Sequence, residues 1–262
     1  MYSLEHKKYL KKRKKEKIII TFFRVFIIVF FLVLWEVLAK KEIINPFLTS
    51  SPSKIYNTVI ELYKQNNLFK HMETTFYETI ISFSISMIIG TIIASILWFN
   101  KTISKILDPY LTVLNSLPKV SLGPLIIIWV GANTNSIVFM TLLITVFTAI
   151  INIYTSFINT DNEKIVLLKT FGANKIQIFT KLVLRGNIKS LISTLKICIS
   201  LSLIGVIMGE LLVSKKGLGY LITYGSQVFN LNLVITSIFI LGIMSYGLYI
   251  IIDLIEKKIN SE

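Results

Sequence analysis

VSLGPLIIIWVGANTNSIVFMTLLITVFTAIINIYTSFINT, residues 120–160, holds no charged side chain in 41 positions. A helix needs about 20 mostly apolar residues to cross about 30 Å of hydrocarbon, so the stretch is too long for one membrane pass and right for two. The joint falls at Gly131-Ala132-Asn133-Thr134-Asn135, where glycine and asparagine favour a turn. The first of these passes begins near Ile106 and is bent or broken around Pro118 and Pro124, because proline removes a backbone donor and crowds the preceding turn.

Working outward, further apolar runs of spanning length appear on both sides. Ile18 to Leu38 is one, with Arg24 near one end and Trp35 and Glu36 at the other. Its apolar stretch is longer than a signal-peptide core, and no cleavage-site pattern follows, so it is expected to stay as an anchor. Thr79 to Trp98 is another, uncharged throughout, with Gly90 and several serines that allow close helix approach. Leu191 to Val213 follows, containing Lys196 and Glu210, and Leu231 to Ile252 is the last, closed by Lys257 and Lys258. Between the first two, Ser51-Pro52 has the form of an N-cap with proline at the first helical position. Ile55, Val59 and Leu62 then recur at helical spacing, which predicts a short amphipathic helix lying on the membrane surface or on the bundle. The expected fold is all-α: a polytopic membrane bundle of six transmembrane helices.

The whole chain of 262 residues is 53% hydrophobic and only 16% charged, which excludes a disordered or disulfide-framed chain. Its mean hydropathy is +0.70. It carries 28 Lys and Arg against 14 Asp and Glu, a formal +14 that invites a nucleic-acid reading. Eight of those basic residues, however, crowd into the first 17 positions, directly before an apolar run, which is how a cytoplasmic membrane flank reads; no nucleic-acid partner is expected. With the N-terminus inside, the inner segments hold 19 basic residues and the outer ones 7, so the positive-inside rule predicts both termini in the cytoplasm. Residues 1–17 read as a basic cytoplasmic tail and residues 18–258 as the membrane domain. The single Cys198 lies in an apolar run and reads as a small buried hydrophobe.

The hydrophilic stretch 161–190 departs from this pattern. Thr160-Asp161-Asn162-Glu163 has the T-x-x-E form of a capping box, with Thr160 as the expected cap and Glu163 reaching back. Gly172 supplies a left-handed stop, Asn174 can cap a second helix, and Ile176, Phe179 and Val183 are expected on one face of it. The outcome is a helix-glycine-helix elbow, which physics alone allows to rest on lipid or to dock a partner. Glu210 reads either as a residue of the outer path or as an interfacial carboxylate. Lys196 is expected to snorkel inward. Gly217 and Gly219 mark a tight outer turn. No G-x-x-x-x-G-K-[ST] occurs, and neither His6 and His71 nor the scattered carboxylates form a metal or catalytic cluster, so the chain is not expected to be an enzyme.

Asp161-Asn162-Glu163 through Leu167-Leu168-Lys169-Thr170-Phe171-Gly172-Ala173, with Phe179 and Leu184, resembles the EAA loop of ABC importer permeases. Pro52-Ser53, Leu68 with His71, Leu107-Asp108-Pro109, Pro118, Pro124 through Trp129 to Gly131, Glu210 and Gly217-Leu218-Gly219-Tyr220-Leu221-Ile222 are similar to the sulfonate, taurine and nitrate branch of that family. Val166-Leu167-Leu168 replaces the E-A-A triplet, Arg185 and Lys189 replace prolines, and Glu78 stands where arginine is frequent. The resemblance implies a permease that forms the path for a small, often anionic solute. Residues 160–190 would couple it to a separate cytoplasmic ATPase through Glu163, Lys169, Gly172, Ala173, Ile176 and Phe179. Pro118, Pro124 and Glu210 become candidates for the path or its gate. Further implied partners are a second copy of the chain, an extracytoplasmic solute-binding protein and the lipid of the plasma membrane. ATP and magnesium would be bound by the ATPase and no cofactor by this chain. The reading from another class is a self-sufficient secondary transporter or channel, for which Lys196 and Glu210 would be the intramembrane charges.

Overall fold

The computed structural model describes residues 4–65 and 67–260; residues 1–3 of the expected tail lie outside the described residues. The chain opens with α1, Leu4–Lys40, a helix with no glycine or proline in it. At 1.5 Å per residue it is about 55 Å long, well beyond the hydrocarbon thickness, so the basic tail continues the first span as one rod. None of its most apolar window is buried inside the protein. Its C-terminal end is tied down: Glu36 accepts from the Ser53 amide at 3.0 Å and the Ser53 hydroxyl at 2.9 Å, which anchors the start of a later helix.

A short turn, α2 (Pro46–Thr49), leads into α3 (Pro52–Lys64), capped by Ser51 as the sequence predicts. Ile55 and Leu62 are buried, so this amphipathic helix lies on the bundle. Next come α4 (Leu68–Phe99), α5 (Lys101–Ser116), α6 (Gly123–Val130) and α7 (Thr134–Ile158). The elbow helices are α8 (Asn162–Thr170) and α9 (Lys175–Ile178), and a π-helical turn at Phe179–Val183 continues into α10 (Leu184–Gly186). The chain ends with α11 (Ile188–Val213), α12 (Leu218–Gln227) and α13 (Leu231–Asn260).

The core is formed by α4, α7 and α11, which approach closely because small residues sit at their crossings. A Cβ on Gly90 would stand 2.7 Å from Ala149 Cβ, and one on Gly205 would stand 2.9 Å from Thr141 Cα. Ser86 and Thr145 share a hydrogen bond of 2.5 Å across the same seam, so polar atoms in the bundle satisfy one another. Contacts between α4 and α7 ascend together, Ser86 with Thr145 and then Gly90 with Ala149. The two helices therefore run parallel, and the chain must cross between them. The pair α5 and α6 supplies that crossing, bent by 81°. Among the described residues six passes result, five of them single long helices and one the bent pair.

The bend has a local cause. Leu117 is extended, with φ −60° and ψ 142°, as the residue before Pro118 should be. Pro118 thus breaks the pass, whereas Pro124 stands at the start of α6, where a proline is tolerated and helps initiate a helix. Pro109 lies inside α5. At the far end of α6, Gly131 has φ +92° and Asn133 caps α7 by accepting from Asn135 and Ser136.

Lys196 does not snorkel freely, as its position near the inner end of a span predicts, but is held between helices. Its amine donates to Asp253 at 2.9 Å and to Glu256 at 2.5 Å, and lies 5.0 Å from the Tyr249 ring centre. Asp253 also pairs with Lys257 at 2.7 Å. This network ties α11 to α13 on the half-buried surface next to the elbow. Lys196→Met should lower the thermal midpoint of the detergent-purified chain, because two carboxylates lose their shared partner, while Lys196→Arg should retain most of it. Equal midpoints for wild type and Lys196→Met would count against this tie.

Candidate functional site

Asp161, not Thr160, is the residue that turns the chain into α8, its carboxylate accepting from the Glu163 amide at 2.9 Å. Two cap-competent residues stand side by side, and the Thr160 hydroxyl is engaged elsewhere, accepting from the Asn187 amide nitrogen at 2.7 Å. Asn187 also donates to the Val183 carbonyl at 2.8 Å. One side chain therefore bridges the two feet of the elbow.

α8 ends in a Schellman motif. The Gly172 amide donates to the Lys169 carbonyl at 2.9 Å and the Ala173 amide to the Leu168 carbonyl at 3.0 Å, with Gly172 at φ +78°. A Cβ added to Gly172 would meet no atom within 4 Å outside the turn itself, so glycine is required there by conformation and not by space within this chain. Asn174 then caps α9 in a full capping box: its Oδ1 accepts from the Gln177 amide at 2.8 Å, and the Gln177 side chain accepts from the Asn174 amide at 2.8 Å.

Phe179 roots the elbow in the bundle. Its ring lies 5.0 Å from Trp98, 4.9 Å from Phe99 and 5.4 Å from Phe157, so it joins the ends of α4 and α7. Lys175 adds a second tie, donating to the Phe99 carbonyl. Ile178 and Val183 are buried in the same cluster. The expectation that Ile176 shares this face is overturned: Ile176 is 65% exposed. Ile178 and Phe179 set the buried face, and Ile176, two residues and about 200° of helix before Ile178, is turned away. Ile176 joins Val166, Leu167 and Phe171, the last 78% exposed, in an apolar outward surface. Glu163 and Lys169 are exposed beside it, and Ala173 is half-buried against the bundle.

At the opposite end of the bundle, three successive amides at the start of α12 are each received by a side chain from another helix. The Gly217 amide donates to His71 Nδ1 at 3.0 Å, the Leu218 amide to Thr75 Oγ1 at 2.8 Å, and the Gly219 amide to Glu210 Oε2 at 2.6 Å. Thr75 in turn donates to Glu210 Oε1 at 2.7 Å. A helix N-terminus offers unsatisfied donors and a positive dipole end, and an interior carboxylate suits both. Gly217, at φ +102°, allows the approach: a Cβ there would fall 2.1 Å from Glu210 Oε1. Glu210 is 1% exposed. It is enclosed by its own chain, and its carboxylate clasps the turn that opens α12. Glu78, also buried, packs beside Glu210 and Thr134. Sequence reasoning missed His71, Thr75 and Glu78 as members of this cluster. Their spacing of four and three residues along one face of α4 was the available signal.

The chain thus joins an elbow with an outward apolar face to a clasped turn at the far end of a six-pass bundle. The family model of the binding-protein-dependent transport system inner membrane component matches residues 86–261, from the middle of α4 through the elbow to the end of α13. The chain belongs to that family. It is a multi-pass membrane protein and the permease component of an ABC importer type. As a permease of this family it is 29% identical over 213 residues to the formylaminopyrimidine transport permease protein ThiX of Halalkalibacterium halodurans, with 81% of this chain and 84% of that one covered. It is 17% identical over 234 residues to the taurine transport system permease protein TauC of Escherichia coli, with 87% and 85% covered. Among solved structures, the inward-facing MetNI methionine ABC transporter superposes with a TM-score of 0.61 at 16% identity, covering 72% of this permease and 96% of that chain. That likeness confirms the fold of the bundle.

Proposed function

We propose that this permease forms, with a second copy of itself, the path of a small solute across the plasma membrane, and that residues 160–190 couple it to a separate ATPase. The observation that carries this reading is the two-sidedness of the elbow. One side is fixed to α4 and α7 through Phe179, and the other presents Val166, Leu167, Phe171 and Ile176 to the surroundings. A lever needs a rigid root and a free contact face. Glu163, Lys169, Gly172 and Ala173 complete the contact region, with both termini on its cytoplasmic side. ATP and magnesium belong to the ATPase, and an extracytoplasmic binding protein delivers the solute at the end where Glu210 clasps the turn.

Pro118 stands at the 81° bend and Pro124 follows it at the start of α6; the neighbouring helix α5 leaves Leu107, Tyr110, Val113 and Leu114 exposed. This surface suits contact with the second copy, so that the two bends face one another along the path. Relatives named for formylaminopyrimidine and taurine point to a small polar solute.

Gly172→Trp tests the coupling assignment. No neighbour within the chain blocks a side chain there, so the variant should insert and keep its bundle, losing about 1–2 kcal/mol locally to the left-handed conformation. Co-purification of the ATPase and ATP-driven uptake should both fall. Gly172→Ala, with the same strain and no bulk, should retain assembly. A Gly172→Trp transporter that assembles and transports like wild type would overturn the assignment.

A further inference from the structure

A cavity of about 370 Å³ opens at the clasp end of the bundle, between α3, α4, α12 and α13. One wall is a row of stacked rings: His71 lies 5.9 Å from Tyr220, which lies 5.9 Å from Tyr224. Glu61 lines the same cavity, and Asn67 and Asn230 add amide groups. Glu61 is exposed. No Lys or Arg lines the cavity among the described residues; neither Lys64 nor Lys70 does, although basic residues outnumber acidic ones 28 to 14 in the chain. The floor is formed by Leu62, Leu221 and Leu233, all buried in one core cluster.

These features select a particular occupant. A carboxylate and two tyrosines lining one cavity suit a cationic group, which gains from the negative charge and from packing its stem against the rings. Buried leucines along its lining suit a group that enters and withdraws on the same side. We propose that this cavity is the seat for a lysine or arginine side chain projecting from the solute-binding protein. The inference rests on the binding-protein-dependent function proposed above and adds the contact point and its charge. Because His71 both stacks on Tyr220 and holds the Gly217 amide, an occupant of the cavity presses directly on the clasped turn.

The test uses the complete transporter with its ATPase in lipid nanodiscs, titrated with the binding protein that supports uptake. Glu61→Lys should raise the half-saturating binding-protein concentration for ATPase stimulation about tenfold, through like-charge repulsion, with unchanged basal hydrolysis. Tyr224→Ala should raise it about threefold. Added salt should weaken the wild-type interaction and narrow its gap to Glu61→Lys. Charge reversal at a single basic residue on the binding-protein surface should restore affinity for Glu61→Lys, which a fold defect would not allow. Half-saturation within twofold of wild type for both variants would overturn the seat while leaving the transport function intact. Affinity loss rescued by no charge reversal on the binding protein would overturn it too. A wild-type transporter that no binding protein stimulates would overturn the underlying function instead.

Discussion

Phe171→Asp combined with Ile176→Asp should detach the ATPase while leaving the membrane bundle folded. Both side chains are exposed, at 78% and 65%, so placing a carboxylate on each has little effect on the free chain. In a complex they would be central apolar anchors, and such anchors are worth about 2 kcal/mol or more apiece, about 30-fold in affinity. An added negative charge beside Asp161 and Glu163 would also have to be desolvated on docking. The expected result is a monodisperse permease that no longer retains ATPase through purification. Phe179→Ala makes the contrast: it empties the aromatic box, costs about 3–5 kcal/mol of stability, and loosens the root instead of the contact face. If the double aspartate variant retains ATPase at wild-type stoichiometry, the outward surface is not the docking face.

Glu210→Ala should have the second large effect, and at the other end of the molecule. It leaves the Gly219 amide without its acceptor in a buried site, at about 1–3 kcal/mol, and leaves the Thr75 hydroxyl only the His71 carbonyl at 3.3 Å. Hydrogen exchange at the amides of 217–219 should accelerate by about 30-fold or more, the equivalent of about 2 kcal/mol. Exchange in the middle of α4 and α7 should stay near wild type. Gly217→Val should reproduce the loosening from the other side, since its Cβ would fall 2.1 Å from Glu210 Oε1. Glu210→Gln keeps the volume and one acceptor and should fall between the two. Protection of 217–219 unchanged in Glu210→Ala would show that the clasp contributes nothing to the turn.

What the sequence made visible was governed by local or periodic rules. Six apolar runs, the Gly172 stop and the Asn174 cap each depend on neighbours within a few residues, and each stands where expected. The break at Pro118 follows equally from the restricted residue before it. What stayed hidden depends on tertiary contacts. Asp161 displaces Thr160 as the cap because Asn187, across the elbow, engages the threonine. Ile176 leaves the buried face because Ile178 and Phe179 take it, with Phe179 settled among Trp98, Phe99 and Phe157. Glu210 becomes a clasp only through His71 and Thr75 on a helix far away in sequence. Lys196 had a readable partner pair in Asp253 and Glu256, three residues apart on the last helix, but only the antiparallel packing of α11 and α13 brings them together.

Site-directed cross-linking addresses the central claim most directly. Cys198, the chain's single cysteine, is buried, so a cysteine introduced at the surface is selectively addressable. Ile176→Cys at the elbow and Phe229→Cys at the clasp end, both at exposed positions, would be compared in the assembled transporter with single-cysteine ATPase variants. The predicted result is an efficient disulfide from position 176 that arrests ATP-driven uptake until it is reduced, and none from position 229. A cross-link to the ATPase from position 229, with position 176 unreactive in the same complex, would contradict both the coupling elbow and the membrane orientation.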